Sequence, residues 1–332
     1  MSFSFNPIFT NFAVFPHSKP IRIYGESIAP VTVSFNGVVV ETQPVDGKWL
    51  VTLPPMECGG PYELVAESAG ECICLKDIYV GEVILITGQS NAEMKLENTN
   101  EPKENYASEN LLRLFTIDFE LHTCEHFKTK DGWQICEKET AKYWTAIGYF
   151  IGQMLCKERG VAVGIIACYQ GASTIQSWLA YDRATKPELF VPMEARHLDS
   201  MHETYGAWNA DGYLYEKMMT RLIPYSLSRV VFYQGESNTS MSDAQVYDKL
   251  LLEYFDQLRT DFQDAELPIT IVQIANYIWR KDEEWKSIQR VQAKIPELAK
   301  GVNTVPCADI CEEDDIHPPS KRALSERIVD SF

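Results

Sequence analysis

The chain has 332 residues, 45% of them hydrophobic and 23% charged, and its 47 Asp and Glu against 30 Lys and Arg give a formal net charge of -17 at pH 7. That balance argues against a nucleic-acid binder, which needs a basic face to neutralise phosphates, and against electrostatic docking on anionic membranes. The proportions are those of a folded globular protein rather than a disordered one.

No stretch approaches the roughly 18 consecutive apolar residues of a membrane span. Residues 1–15 lack the basic start, apolar run and small-residue cleavage site of a signal peptide, so a cytoplasmic location is expected. The nine cysteines are scattered, as expected of reduced structural thiols.

The first 80 residues read as β. Val31, Val33 and Phe35 alternate with Thr32 and Ser34, and Asn36-Gly37 follows. Both residue types tolerate positive φ, which makes this a hairpin turn. The return strand begins at Val38. Further alternations run through Trp49, Val51 and Leu53 and, after a break at Gly59-Gly60-Pro61, through Tyr62, Leu64 and Ala66. Short strands with no helical period predict a small β-sandwich over residues 1–80. Residues 77–81 lead straight into the next strand without a linker, so this domain is expected to pack against a second one over residues 81–332.

From residue 81 the pattern changes. Apolar runs at 83–87, 112–117, 161–167, 230–233, 269–274 and 304–308 predict strands buried on both faces. Helical stretches fall between several of them. The clearest places Ile147, Phe150, Ile151, Met154 and Leu155 on one face. Others span 213–222, 246–259, 285–295 and 320–329, the last with Pro318-Pro319-Ser320 as a start signal. Alternating β and α elements predict an α/β class: a doubly wound, mostly parallel sheet in an α/β/α arrangement.

Ligands of such sheets bind beyond the carboxyl ends of the strands. The segments found there are Gly88-Gln89-Ser90-Asn91, Tyr169-Gln170-Gly171-Ala172-Ser173, Gln234-Gly235-Glu236-Ser237-Asn238 and Asp314-Asp315-Ile316-His317-Pro318. A serine, a glycine turn, an amide-rich turn and a histidine with acidic neighbours make up the parts of a serine esterase: nucleophile, oxyanion donors and general base.

These four blocks, in this order, resemble the SGNH hydrolase superfamily, and within it the sialate O-acetylesterase-like carbohydrate esterases. The resemblance extends over nearly the whole chain, including Asp46-Gly47-Lys48-Trp49, Gly59-Gly60-Pro61-Tyr62 and Gly81-Glu82-Val83. It implies an SGNH-type, flavodoxin-like sheet and a serine acyl-enzyme with no cofactor. Ser90 is then the nucleophile and His317 the base. The oxyanion hole is made by the backbone N–H groups of Ser90 and Gly171 and a side-chain amide. Gln234 is the preferred amide and Asn238 the second choice, because serine stands where many relatives carry asparagine. For the acid that orients His317, the Asp-x-x-His spacing of the superfamily favours Asp314, while the Asp-Ile-His-Pro form of the branch favours Asp315; a dyad without either is the third option. Gln89, Asn91, Glu236, Asn238 and Trp178 are expected around the reacting groups or the substrate, and Glu236 could brace the Ser90 loop.

No metal site is expected. His122, Cys124 and His126 alternate in a polar stretch without a second ligand pair, and Gly-Gln-Ser-Asn lacks the lysine of a phosphate loop. Trp279, Trp285, Tyr277 and Asn276 join Trp178 as candidate sugar contacts. The expected partner is an O-acetylated sugar, first a sialic acid and second an acetylated xylan or other plant glycan. A catalytically inactive glycan-binding protein is the alternative from a different class, and the oligomeric state stays open.

Overall fold

The computed structural model describes residues 3–117, 132–196, 203–280 and 283–332. In the N-terminal region Ser4–Phe5, Ile21–Glu26 and Lys48–Leu53 form one antiparallel sheet. Val38–Thr42, Val31–Phe35 and Gly59–Ser68 form another, which continues into Glu71–Gly88. Period-two alternation decides which side chains are buried: Val31, Val33 and Phe35 point inward beside Trp49, Val51 and Leu53. Asn36 and Gly37 carry φ of 46° and 80°, the two left-handed positions of the expected hairpin turn.

Two features of this region differ from the sequence reading. Gly59-Gly60-Pro61 does not end a strand; it forms register shifts inside Gly59–Ser68. Nor do residues 77–81 separate two strands. Glu71–Gly88 is one strand of 18 residues. Its first part pairs with Gly59–Ser68 and Val14–Pro16, and from Glu82 it pairs with Val163–Tyr169 and Arg229–Tyr233. Asp77 bends the strand with φ 58°, and Gly81 lets Ala162 cross it, since a Cβ there would stand 2.0 Å from the Ala162 carbonyl oxygen. The glycine that looked like a boundary is a point of close backbone contact.

The large sheet runs in the order Gln134–Cys136, Glu109–Thr116, Val163–Tyr169, Glu71–Gly88, Arg229–Tyr233, Ile269–Val272, Val302–Val305. Gln134–Cys136 is antiparallel at one edge and the neighbours from Glu109–Thr116 onward are parallel. Both faces are covered. Ile84 and Ile86 pack with the helices Ala146–Arg159 and Lys321–Asp330 on one side. Val83 and Leu85 share the opposite core with Tyr247–Asp261 and Glu283–Leu298.

The last strand ends earlier than the apolar run at 304–308 predicts, because Pro306 has no N–H for the ladder. The run at 213–222 divides into the helix Tyr213–Lys217 and a 3₁₀ turn Met219–Arg221. After Glu71–Gly88 the chain builds first to one side and then to the other. The resulting switch point lies among the ends of Glu71–Gly88, Val163–Tyr169 and Arg229–Tyr233.

Gly88 sits at that point with φ 130°, and a Cβ would stand 2.1 Å from the Tyr233 carbonyl oxygen. Gly88→Ala is expected to destabilise by about 3 kcal/mol or more, through forced backbone strain and clash. Gly37→Ala has positive φ but nothing within 4 Å, and is expected to cost about 1 kcal/mol. Thermal melts of the two variants against wild type measure the difference.

Candidate active site

The nucleophile turn is built by strand ends meeting. The Gln89 N–H donates to the Tyr233 carbonyl (3.0 Å) and the Gln170 N–H to the Gly88 carbonyl (3.1 Å). Gln89 is extended and caps the one-turn helix Ser90–Glu93. Ser90, half-buried, therefore emerges where three strands end.

His317 approaches from the loop before the last helix. The Ser90 hydroxyl and His317 Nε2 are 2.7 Å apart. This is the spacing of a nucleophile that hands its proton to a base. For Nε2 to accept, the ring proton sits on Nδ1. Partial desolvation of the ring, then the charge of Lys321, draw the His317 pKa below its ordinary value, and Asp315 opposes them. The imidazole is thus neutral at pH 7, the form a general base requires.

Neither aspartate performs the expected ring contact. Asp315 Oδ1 accepts from the backbone N–H of His317 at 2.8 Å, an Asx-type turn in which a carboxylate bonds the N–H two residues on. Asp314 is exposed and forms no hydrogen bond among the described residues. Among those residues nothing accepts from Nδ1 of His317. Asp315 shapes the loop, and its charge acts on the ring through space.

The oxyanion side also differs from expectation. Gly171 lies beside Ser90: a Cβ on it would meet Ser90 Cβ at 3.7 Å and Glu93 Oε2 at 3.2 Å. Its N–H donates to Glu93 Oε2 at 2.8 Å. Burial raises the pKa of that carboxyl, against the bond from Gly171 and the charge of Lys95. Gln234 has no N–H to spare. It is fully buried, and Nε2 faces Asn238 Oδ1 (2.7 Å), the Ser173 carbonyl (3.0 Å) and Gln89 Oε1 (3.3 Å). Asn238 is equally buried, with Nδ2 on Gln176 Oε1 at 2.9 Å and Oδ1 accepting from the Ile175 N–H. The N–H groups of both amides are spent on partners within the turn. Gln89 Oε1 joins them by accepting from the Gly235 and Ser237 N–H groups.

Asn91 links the two reacting segments. Its Nδ2 donates to Glu236 Oε1 (2.7 Å) and to the Ile316 carbonyl (2.9 Å), while its Oδ1 accepts from Lys321 Nζ (2.7 Å). All three side-chain partners, Asn91, Glu236 and Lys321, are buried. Burial pushes the Glu236 carboxyl up and the Lys321 ammonium down to about 8. Glu236 is bonded to the residue that follows Ser90.

Glu93 and Lys321 are the site residues that sequence reasoning missed. For Glu93 the available signal was spacing, three residues after Ser90 in the same short helix; for Lys321, which opens the next helix after the His317 loop, the sequence carried none. Of the aromatics, Trp178 is fully buried with its N–H on Ser173 Oγ, a core residue and not a sugar platform. Trp285 is buried as well. Trp279 is 72% exposed, and its loop is tied to the His317 loop by the Ile278 N–H on the Glu313 carbonyl (2.8 Å). His122, Cys124 and His126 lie outside the described residues.

Comparison with known proteins gives this geometry a context. The family model described as "Carbohydrate esterase, sialic acid-specific acetylesterase" matches residues 80–332. Human sialate O-acetylesterase is 25% identical over 322 residues, covering 84% of this chain and 59% of the human protein. The rat sialate O-acetylesterase is 23% identical over 390 residues, covering 94% and 69%. The chain thus spans about three-fifths of the human relative's length. A crystal structure of a carbohydrate acetylesterase from Xanthomonas citri superposes with a TM-score of 0.84 at 26% identity, covering 98% of this chain and 73% of that one. The matched span contains Ser90, Gly171, Asn91, Glu236 and His317, and the chain belongs to the sialic acid-specific acetylesterase family of carbohydrate esterases.

Proposed function

We propose that the protein is a carbohydrate O-acetylesterase that works through a Ser90 acyl-enzyme, with a sialate O-acetyl ester as its first substrate class. The observation that carries this reading is the 2.7 Å contact between the Ser90 hydroxyl and His317 Nε2 at the switch point of the sheet. We read the chain as a β-sandwich up to about residue 80 followed by an SGNH-type catalytic unit; the family match over residues 80–332 and the change of strand partners at Glu82 support that reading, although the single strand Glu71–Gly88 runs through both.

Ser90 Oγ attacks the acetyl carbonyl while Nε2 takes its proton. The oxyanion develops against the Ser90 N–H, which has no intrahelical acceptor at the first turn. It also faces the Gly171 N–H once that group exchanges Glu93 Oε2 for the substrate oxygen. His317 then protonates the departing sugar hydroxyl. The same imidazole activates the water that frees acetate and restores Ser90.

A second reading, a neutral acetylated glycan such as a xylo-oligosaccharide, is favoured by the local charge. Glu93 reaches the Gly171 N–H beside Ser90, Asp315 reaches the His317 N–H, and the buried cation Lys321 is directed at Asn91. A sialate carboxylate would be repelled by the exposed Asp315 charge, whereas a neutral sugar would not. The eight described cysteines are free thiols, which supports a reducing compartment.

Ser90→Ala is expected to lower kcat on p-nitrophenyl acetate by at least about 10⁴-fold with the fold intact. Equal hydrolysis by variant and wild type would sink the esterase reading. Acetate release from O-acetylated sialic acids and acetylated xylo-oligosaccharides separates the two substrate classes.

The aspartates should part company in kcat. Asp314→Asn is expected to change it by less than about threefold, because that carboxylate contacts nothing in the site. Asp315→Asn is expected to lower it about tenfold through loss of the turn that sets His317. Trp279→Ala is expected to raise KM for the acetylated sugar several-fold, corresponding to about 1 kcal/mol of stacking, while leaving p-nitrophenyl acetate kinetics unchanged.

A further inference from the structure

Lys321 opens the last helix and is completely buried, yet no step above uses it. A buried ammonium persists only where partners replace its water. Its Nζ donates to Asn91 Oδ1 at 2.7 Å and lies 5.2 Å from the centre of the Tyr233 ring. The other end of the same carboxamide donates to the buried Glu236 carboxylate and to the carbonyl of Ile316. A flipped Asn91 would set its NH₂ against the ammonium and its oxygen against two acceptors. Lys321 and Glu236 together therefore permit one orientation. In that orientation the residue after Ser90 grips the residue before His317.

We propose that Lys321 is a positioning residue for the reacting pair: acting through the Asn91 carboxamide, it holds the Ser90 turn against the His317 loop. The proposal rests on reading Ser90 and His317 as nucleophile and base.

The same placement has an electrostatic consequence. The imidazole is faced by Asp315 from its own loop, by the Ser90 hydroxyl from the nucleophile helix, where Glu93 is directed at Gly171, and by Lys321 from the last helix. Lys321 in turn is faced by Tyr233 at its strand end, Asn91 from the nucleophile helix, Glu236 from the amide turn, and Cys307, Cys311 and Glu312 from the segment after Val302–Val305. After burial, the positive charge of Lys321 disfavours imidazolium and lowers the His317 pKa, and Asp315 opposes it. The neutral imidazole is the active form, so kcat/KM rises with pH through the His317 pKa. Removing the charge at position 321 lets that pKa rise and carries the acid limb to higher pH.

The test is the pH dependence of kcat and KM on p-nitrophenyl acetate for wild type, Lys321→Met, Lys321→Arg and the double variant Lys321→Met/Glu236→Gln, with circular dichroism as the folding control. Lys321→Met is expected to lose about tenfold to a hundredfold in kcat, with the acid limb about one pH unit higher. Lys321→Arg keeps the charge and the wild-type limb. The double variant leaves no unpaired buried carboxylate, so it carries the same comparison if the single one fails to fold; its limb is expected to rise equally. A folded, charge-free variant with wild-type kcat and an unmoved limb overturns the proposal. Ser90→Ala, run alongside, separates the two readings: if it matches wild type the esterase reading itself falls, and if it is inactive while the limb stays put, only the role of Lys321 falls.

Discussion

The contact between Gly88 and the Tyr233 backbone fixes where everything at the site lies. A strand that ends in any residue with a Cβ could not come this close, for the added carbon would stand 2.1 Å from a carbonyl oxygen. With glycine there, the Gln89 N–H reaches Tyr233 and the Gln170 N–H reaches Gly88. Three strand ends are thereby stitched at one level. Ser90, Gly171 and Gln234 are then neighbours by construction, although 81 residues separate the first two in sequence and 63 the next pair. The bend at Asp77 and the crossing at Gly81 carry the same strand on into the N-terminal sheets. The nucleophile turn is thus anchored in both halves of the molecule.

Beneath that turn lies a shell of amides with few spare groups. Gln234, Asn238, Gln176 and Asp243 bond one another in the interior, and the Tyr247 hydroxyl donates to Gln234 Oε1. Leaving one such buried donor or acceptor unpaired costs about 1–3 kcal/mol. The amides therefore spend their hydrogen bonds on each other, and the turn they hold is stiff. A stiff support is what lets backbone N–H groups act as oxyanion donors, because donors fixed in advance need no reorganisation when charge develops. In the proposed mechanism the amide-rich turn acts by what it holds still.

This explains which parts were legible in the sequence. Alternation at Val31–Phe35 and Lys48–Leu53, and the apolar run before Gly88, are local patterns, and the strands follow them. Ser90 and His317 were legible as a candidate pair because a serine directly after a buried strand and a histidine in the loop before the last helix are the residue types an esterase needs, and the structure places them 2.7 Å apart. Gln234 and Trp178 were misjudged for one reason: their types suit a substrate contact and a core position equally, and only tertiary packing decides which way a side chain faces. Asp314 and Asp315 pose the same problem at shorter range, since a turn of one residue decides whether a carboxylate meets a ring nitrogen or a backbone N–H. Gly81 and Gly59-Gly60-Pro61 read as punctuation because a glycine needed for close approach looks identical to one needed for a turn.

The electrostatics of the pair follow from the same packing. In a triad a carboxylate on Nδ1 makes the imidazole a stronger base. Here burial first, and then the charge of Lys321, hold the ring below its ordinary pKa against the pull of Asp315. A weaker base gives less driving force for proton transfer, but a larger share of the enzyme holds it in the neutral form at a given pH. That exchange is favourable in an acidic protein. A net charge of -17, with Asp315 beside the ring, pushes a histidine toward imidazolium. A buried ammonium, held in place by a carboxamide that also aligns the nucleophile, counters that field locally without presenting a cation at the mouth of the site.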